Sequence, residues 1–117
     1  CSDEAFTSPL HRAALQSEAA RHTALTNVFT GRPARGIVNR LMRELGNADA
    51  EHFSTGLGAV APAFPLATNA IGPLRAAAEK AGRTDFTPLW SGQNASGCRT
   101  GSATEITQAL ARGFDKG

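Results

Sequence analysis

The chain has 117 residues, of which 41% are hydrophobic and 19% charged, and its formal net charge is +2. This small charge excludes a disordered protein of the highly charged kind, and by itself it does not imply a nucleic-acid partner. Leu, Ile, Val and Phe occupy only 22 positions, about 19% of the chain, so little bulky apolar area is available for burial. The composition favours part of a larger body over a marginal helix-rich domain that stands alone.

The ends of the chain and its cysteines bear on processing and location. The chain begins with Cys1 rather than Met, from which we expect a processed or truncated piece. No apolar run in these residues approaches the 18 residues of a membrane span, and none has the basic-then-apolar pattern of a secretory leader. Cys1 and Cys98 lie at opposite ends and do not make a disulfide framework. We therefore expect a cytoplasmic protein with no membrane partner.

The first predicted element is a helix from Pro9 to about Ala20. Ser8 supplies an N-cap, and a proline in the first turn suits a helix start. The predicted inward positions of this helix are Leu10, Ala13 and Ala14. The following stretch "TALTNVFTG", residues 23–31, is rich in β-branched residues and predicts a short strand or an extended link.

The stretch "PARGIVNRLMREL", residues 33–45, predicts a second helix because its apolar and basic residues fall on separate arcs. Gly36 lies on the basic side and permits a neighbouring backbone to come close. The basic arc is either a solvated or inter-element face, which we favour, or a surface for phosphates. Its members are Arg32, Arg35, Arg40 and Arg43, and the apolar arc comprises Ile37, Val38, Leu41, Met42 and Leu45.

The second half of the chain predicts shorter elements. Residues 47–64 have no period and indicate a functional or mobile loop. A short helix follows Pro65, Pro73 breaks it, and a further helix runs from there to a stop at Gly82. Ser102 and Glu105 form a capping box that begins the last helix, in which Ile106, Ala109, Leu110 and Phe114 repeat at helical spacing.

Candidate chemistry is sparse. His11, His22 and His52 lack the close spacing to Cys, Asp or Glu that a metal site needs, so we predict surface or structural roles for them and no metal. No complete catalytic set can be assembled from spacing. The stretch "PLWSGQNASG", residues 88–97, places Trp90 beside neutral hydrogen-bonding groups and glycines. It is equally typical of a ligand-binding wall, with a buried Trp, and of a surface loop that the Trp anchors.

The order of these segments resembles the C-terminal part of bacterial nitronate monooxygenases. The segments "FTGRPARGIVNR", residues 29–40, and "LWSGQ", residues 89–93, carry the resemblance most specifically. It implies an α/β fold in which this chain is the C-terminal segment of an FMN-binding TIM barrel plus a helical subdomain, the segment itself being mostly α. It also implies oxidation of alkyl nitronates with O₂.

The resemblance further divides the chain within a single-domain flavoenzyme. Residues 1–24 correspond to the helix after the last barrel strand and residues 25–64 to a helical subdomain and loop. Residues 65–117 correspond to C-terminal helices with a loop, 88–97, that faces the active site. The catalytic histidine and most of the FMN site would lie upstream, so no catalytic residue is assigned here and the piece alone is expected to be inactive.

The site residues that the resemblance implies lie in that loop. Ser91, Gly92 and Gln93 are expected to contact FMN, with Ser91 using its hydroxyl or its backbone N–H, and Trp90 and Ser91 to line the substrate pocket. The expected partners are the upstream barrel, a nitronate and O₂, with a homodimer left open and no nucleic acid. The alternative hypothesis is a small basic helical module that binds nucleic acid or an acidic protein through the arginine arc.

Overall fold

Helices and a small antiparallel hairpin make up the computed structural model, which describes residues 2–45 and 61–114. The arrangement of these residues is α/β. In chain order the elements are α1 (Pro9–Gln16), a 3-10 helix (Glu18–Arg21), β1 (Thr23–Thr26), β2 (Ala34–Ile37), α2 (Arg40–Leu45), α3 (Leu66–Lys80) and α4 (Ala103–Ala111).

Helix α1 begins as predicted but ends early. The Ser8 Oγ accepts a hydrogen bond from the His11 N–H, which confirms Ser8 as the N-cap. The helix stops at Gln16 rather than near Ala20, because Ser17 is extended and its hydroxyl donates back to the Ala14 carbonyl at 2.7 Å. A 3-10 helix completes the segment. Of the predicted inward positions, Leu10 and Ala14 are half-buried and Ala13 is exposed.

The predicted helix over residues 33–45 is wrong in its first half. Residues 34–37 form β2, which pairs antiparallel with β1 so that Thr23 lies opposite Ile37 and Thr26 opposite Ala34. Only Arg40–Leu45 is helical. The pairing gives the backbone its hydrogen-bond partners and leaves Ile37 1% exposed, an outcome that the helical spacing of apolar residues does not reveal. The predicted strand in "TALTNVFTG" is confirmed as β1.

Helix α3 runs without a break through Pro73, so the predicted division into two helices there is also wrong. Proline has no N–H to bond the carbonyl of Asn69, but both residues are exposed and water can satisfy that carbonyl. The predicted stop is confirmed. Gly82 has a φ of +73°, and the Arg83 N–H bonds the Ala78 carbonyl at 2.9 Å beyond it.

Helix α4 has the predicted capping box, since Ser102 and Glu105 exchange side-chain and backbone hydrogen bonds. The bond from the Ser102 N–H is the main cause that lowers the pKa of Glu105. A carboxylate oxygen of Glu4 also accepts from the Ala103 N–H at 2.8 Å, which ties the N-terminal segment to this helix. On the apolar side of α4, Leu110 is 68% exposed.

The core consists of two small clusters that meet at the hairpin. One contains Val28, Phe29, Leu41 and Met42, packed against the half-buried side chains of Ala24, Val38, Ile71, Phe86 and Trp90. The other contains Ala20, Ile37 and Leu89, packed against Ala14, Leu15 and Ala95. Most of the predicted apolar arc is therefore at least partly buried, but Leu45 is 39% exposed.

Hydrogen bonds from Asn39, just before α2, and to Glu79 of α3 hold the segment that precedes residue 88. Asn39, 6% exposed, precedes α2, where its Oδ1 accepts from the Met42 N–H while its Nδ2 donates to the carbonyls of Thr84 and Thr87 at 3.0 and 2.9 Å. From α3, Glu79 accepts from the Thr87 hydroxyl at 2.8 Å. The pKa of Glu79 is lowered chiefly by its hydrogen bond from Arg75, with Thr87 contributing.

Some expectations fall outside the described residues, namely the irregular stretch over most of 47–64, His52 and Cys1. Cys98 is a free, exposed thiol. Among residues 2–45 and 61–114, no helix has the length and apolar character required to cross a membrane.

We expect Asn39→Ala to destabilise the protein by about 1–3 kcal/mol, since the carbonyls of half-buried Thr84 and buried Thr87 lose their donor and α2 loses its cap. Asn39→Asp keeps the capping oxygen but sets a carboxylate against the same carbonyls, so it should cost at least as much. Urea unfolding followed by circular dichroism measures both changes. As a control, Asn94→Asp keeps the acceptor that bonds the Ser96 N–H on the surface and should change stability little. Wild-type stability in Asn39→Asp would show that the bridge contributes nothing.

Candidate functional site

The loop predicted to face the active site is attached to the second edge of β2. The Ile37 N–H donates to the Leu89 carbonyl at 2.8 Å, and the Ser91 N–H donates to the Arg35 carbonyl at 3.2 Å. Between these bonds, Gly36 and Trp90 form an antiparallel bridge. β2 is therefore hydrogen-bonded to β1 on one side and to residues 89–91 on the other.

Gly36 makes this attachment possible. Residues that face each other between hydrogen bonds of an antiparallel ladder bring their side chains close together. A Cβ at position 36 would lie 3.1 Å from the Leu89 carbonyl oxygen and 3.4 Å from the Trp90 ring. The predicted close approach of a backbone at Gly36 is thus confirmed, although in a strand rather than a helix.

Trp90 is half-buried rather than fully buried. Its ring meets Phe29 edge-on, with 5.7 Å between centroids and an interplanar angle of 90°. Its carbonyl oxygen lies 3.0 Å from the Nε2 of His11. His11 therefore has the structural role predicted for it, and Trp90 anchors the loop to the core.

The position of Ser91 leaves one of its two predicted groups available. Its N–H is bonded to Arg35, whereas its hydroxyl lies only near the Gly92 carbonyl, at 3.3 Å. The hydroxyl, not the N–H, is thus the group that can meet a ligand. A Cβ on Gly92 would meet no atom within 4 Å, so this side of the loop is open.

The predicted site residues are contiguous, but only one of them borders the depression at the end of α1. Gln93 is exposed and borders an open depression of about 490 Å³ between the end of α1 and residues 93–98, whereas Trp90, Ser91 and Gly92 do not line it. The other polar residues at this depression are Gln16, Ser17, Glu18, Arg21, Asn94 and Ser96. The expected contacts of the predicted site residues, Trp90 to Gln93, with cofactor and substrate remain predictions.

The single arginine arc does not exist, because its members lie on different elements. Arg35, on β2, donates to the Thr23 carbonyl and hydroxyl at 3.3 and 3.2 Å. Arg40 pairs with Glu44 at 2.7 Å, a contact that raises its pKa, and Arg32 lies over the Phe64 ring at 4.3 Å. Arg43 is exposed at the end of α2.

Two consequences follow for the arginines. The expectation of a face towards other elements holds for Arg35, which donates to β1, whereas Arg40 pairs with Glu44 of its own helix. The helical face that the nucleic-acid hypothesis requires is absent. In the parts of the chain that the structure covers, His, Cys, Asp and Glu side chains form no group of three suited to a metal ion.

A family model described as nitronate monooxygenase matches residues 1–113. The chain belongs to this family. A probable nitronate monooxygenase of Staphylococcus saprophyticus is 34% identical over 93 residues, 80% of this chain and 24% of the relative. The nitronate monooxygenase of Pseudomonas aeruginosa is 32% identical over 109 residues, 92% of this chain and 28% of the relative.

A solved structure of nitroalkane oxidase from Streptomyces ansochromogenes superposes with a TM-score of 0.75 and 37% identity, over 95% of this chain and 29% of the relative. The hairpin and helices are thus arranged as in that protein, and the resemblance read from the ordered segments is confirmed. This nitronate monooxygenase family chain spans about a quarter of the length of the curated relatives that it matches.

One local signal for the missed strand was present in the sequence. Asn39 is a preferred N-cap residue, and a helix capped there begins at Arg40, which leaves residues 34–37 free to pair. No local signal indicates that residues 89–91 are their partner, because the two segments lie more than 50 positions apart.

We expect Gly36→Val to destabilise the protein by about 1–3 kcal/mol, because the added carbons overlap the Leu89 backbone and the Trp90 ring. Unfolding followed by the fluorescence of Trp90, the only Trp of this chain, measures the effect. The control is Gly97→Ala, in the loop beyond the ladder, where a Cβ meets no atom within 4 Å. That change should alter stability by less than about 0.5 kcal/mol. Equal stability of Gly36→Val and wild type would contradict the close approach.

Proposed function

We propose that this chain forms the C-terminal part of an FMN-dependent enzyme that oxidises alkyl nitronates with O₂. The observation that carries the proposal is the family match over residues 1–113, together with the fold shared with a protein named nitroalkane oxidase. Since the chain spans about a quarter of its relatives, we infer that the catalytic base and most of the cofactor site belong to an upstream barrel. In this proposal the enzyme is cytoplasmic.

The residues of the loop suit a flavin. Ser91 offers a hydroxyl whose one contact is the 3.3 Å bond to the Gly92 carbonyl, the backbone at Gly92 is open on one side, and the exposed amide of Gln93 can donate and accept. These neutral groups match the alternating carbonyl and N–H groups of a flavin edge, and the ring of Trp90 supplies apolar surface beside them. FMN, when bound, supplies the redox chemistry, and this chain contributes position and polarity.

Exposed apolar side chains support the proposed upstream partner. Phe6, Leu110 and Phe114 are 112%, 68% and 85% exposed. Surface of this kind is costly to leave in water, at about 25 cal/mol per Å². We infer that the barrel covers Phe6 and the apolar side of α4.

The proposed activity is tested on the protein expressed with its upstream barrel sequence. We expect a yellow protein whose released cofactor is FMN by chromatography, and O₂ consumption that depends on added ethylnitronate. The same protein without the nitronate provides the baseline. A colourless protein that consumes no O₂ with the nitronate would refute the proposed function.

In that enzyme we expect Ser91→Ala to lower kcat/KM about tenfold, the size of one lost hydrogen bond to the cofactor or substrate. Stability should change by less than about 0.5 kcal/mol, because the hydroxyl has only the weak Gly92 contact. Steady-state kinetics and thermal unfolding measure the two effects. Ser96→Ala, in the same loop, controls for general disturbance and should leave kinetics unchanged. Unaltered kinetics in Ser91→Ala would remove Ser91 from the site.

A further inference from the structure

The outer edge of the loop segment 89–91 carries a contact that the proposed function does not use. Because the Leu89 carbonyl and the Ser91 N–H point towards β2, the N–H and carbonyl of Trp90 point away from it. That outward carbonyl is 3.0 Å from the Nε2 of His11, a residue 79 positions earlier. Residues 89–91 are thus hydrogen-bonded on both edges, to β2 on the inner edge and, through the Trp90 carbonyl, to His11 on the outer edge.

His11 is itself held in place. It lies in the first turn of α1, where its backbone N–H is bonded to the Ser8 Oγ at 3.2 Å, and its side chain is half-buried. A carbonyl oxygen only accepts, so the Nε2 must carry the proton, as it does in one neutral tautomer and in the imidazolium. The contact therefore needs no charge on the ring, and the Nε2 is committed to it.

The next residue reaches in another direction. The guanidinium of Arg12 donates to the carbonyls of Ser2 and Ala5 at 2.7 and 2.9 Å. The first turn of α1 therefore binds two separate backbone segments, residues 2–5 through Arg12 and the Trp90 carbonyl through His11. In both contacts the acceptor is a backbone carbonyl. The contacts therefore do not depend on which side chains the two bound segments carry.

We propose that His11 is a positioning residue for the loop that meets the flavin. It holds the Trp90 carbonyl and so determines the direction in which Ser91, Gly92 and Gln93 leave the sheet. The hydroxyl of Ser91 is one residue beyond the bonded carbonyl, and without the His11 bond the segment keeps the two β2 bonds and the packing of Leu89 and Trp90, but its outer edge loses this hydrogen bond. The expected effect of His11 on catalysis rests on the proposed function, whereas its bond to the Trp90 carbonyl does not.

The structural part is tested by amide hydrogen exchange in the protein expressed with its upstream sequence. His11→Leu removes the donor, so we expect the peptide containing Leu89 to Ser91 to exchange about tenfold faster, as for one lost hydrogen bond. His22→Leu is the matched control, because His22 is exposed at the end of the 3-10 helix. Unchanged exchange in His11→Leu would overturn the proposal.

The catalytic part is tested by kcat per bound flavin in three variants. Gln places an amide N–H near the position of the His Nε2, so His11→Gln should retain most of the wild-type kcat. Asn is too short to reach the carbonyl, so His11→Asn and His11→Leu should each lose about tenfold. The pH profile of kcat/KM should keep its shape in His11→Gln, because a residue that only positions the loop transfers no proton in the reaction.

The outcomes separate this inference from the proposed function. A merely structural His11 would lower the melting temperature and the flavin content of all variants without changing kcat per bound flavin, and that result would overturn the positioning role. Loss of activity in His11→Gln with an altered pH profile would also overturn it, in favour of proton transfer. A wild-type protein without flavin or nitronate oxidation would refute the proposed function, and the exchange measurement would still decide whether His11 holds the segment.

Discussion

The double pairing of β2 is the interaction on which the described residues depend. One edge of the strand bonds β1, and the other bonds residues 89–91. Both core clusters include residues of this short ladder or residues next to it. One contains Val28 and Phe29, which follow β1, and the other contains Ile37 of β2 and Leu89 of the paired loop segment. Because Gly36 has no side chain, the Trp90 ring can lie against the strand and still meet Phe29. A larger residue at position 36 would separate the loop from the core.

The small content of bulky apolar residues limits what this ladder can support. Several large apolar side chains remain exposed, Phe6, Leu110 and Phe114 among them. Arginines and polar side chains instead bond backbone carbonyls across the fold, as Arg35 does at Thr23 and Asn39 does at Thr84 and Thr87. Such bonds hold loops in place but add little burial, which is the larger source of stability. This balance suits a segment that packs on a larger enzyme.

Contacts from three elements meet at the loop proposed to face the flavin. β2 bonds its inner edge, His11 bonds its outer edge, and α2 holds the preceding residues through Asn39. After Trp90 the contacts become few, and Ser91 and Gln93 present neutral polar groups on an open side. In the proposed enzyme, the hydrogen-bonded base of the loop and its open polar turn would position the cofactor without reacting with it. The proposed contribution of this chain is therefore geometric.

The sequence by itself determined the features whose partners lie within a few positions. The cap at Ser8, the capping box at Ser102 and the stop at Gly82 each depend on one turn of chain, and the family was evident from the order of segments. Only the tertiary structure decided that residues 34–37 form a strand and that the Ser91 N–H is bonded to Arg35 while its hydroxyl stays outside the ladder. Apolar residues spaced for one helical face can be buried equally well by a strand followed by a short helix. Backbone partners far along the chain make that choice, and no local period records them.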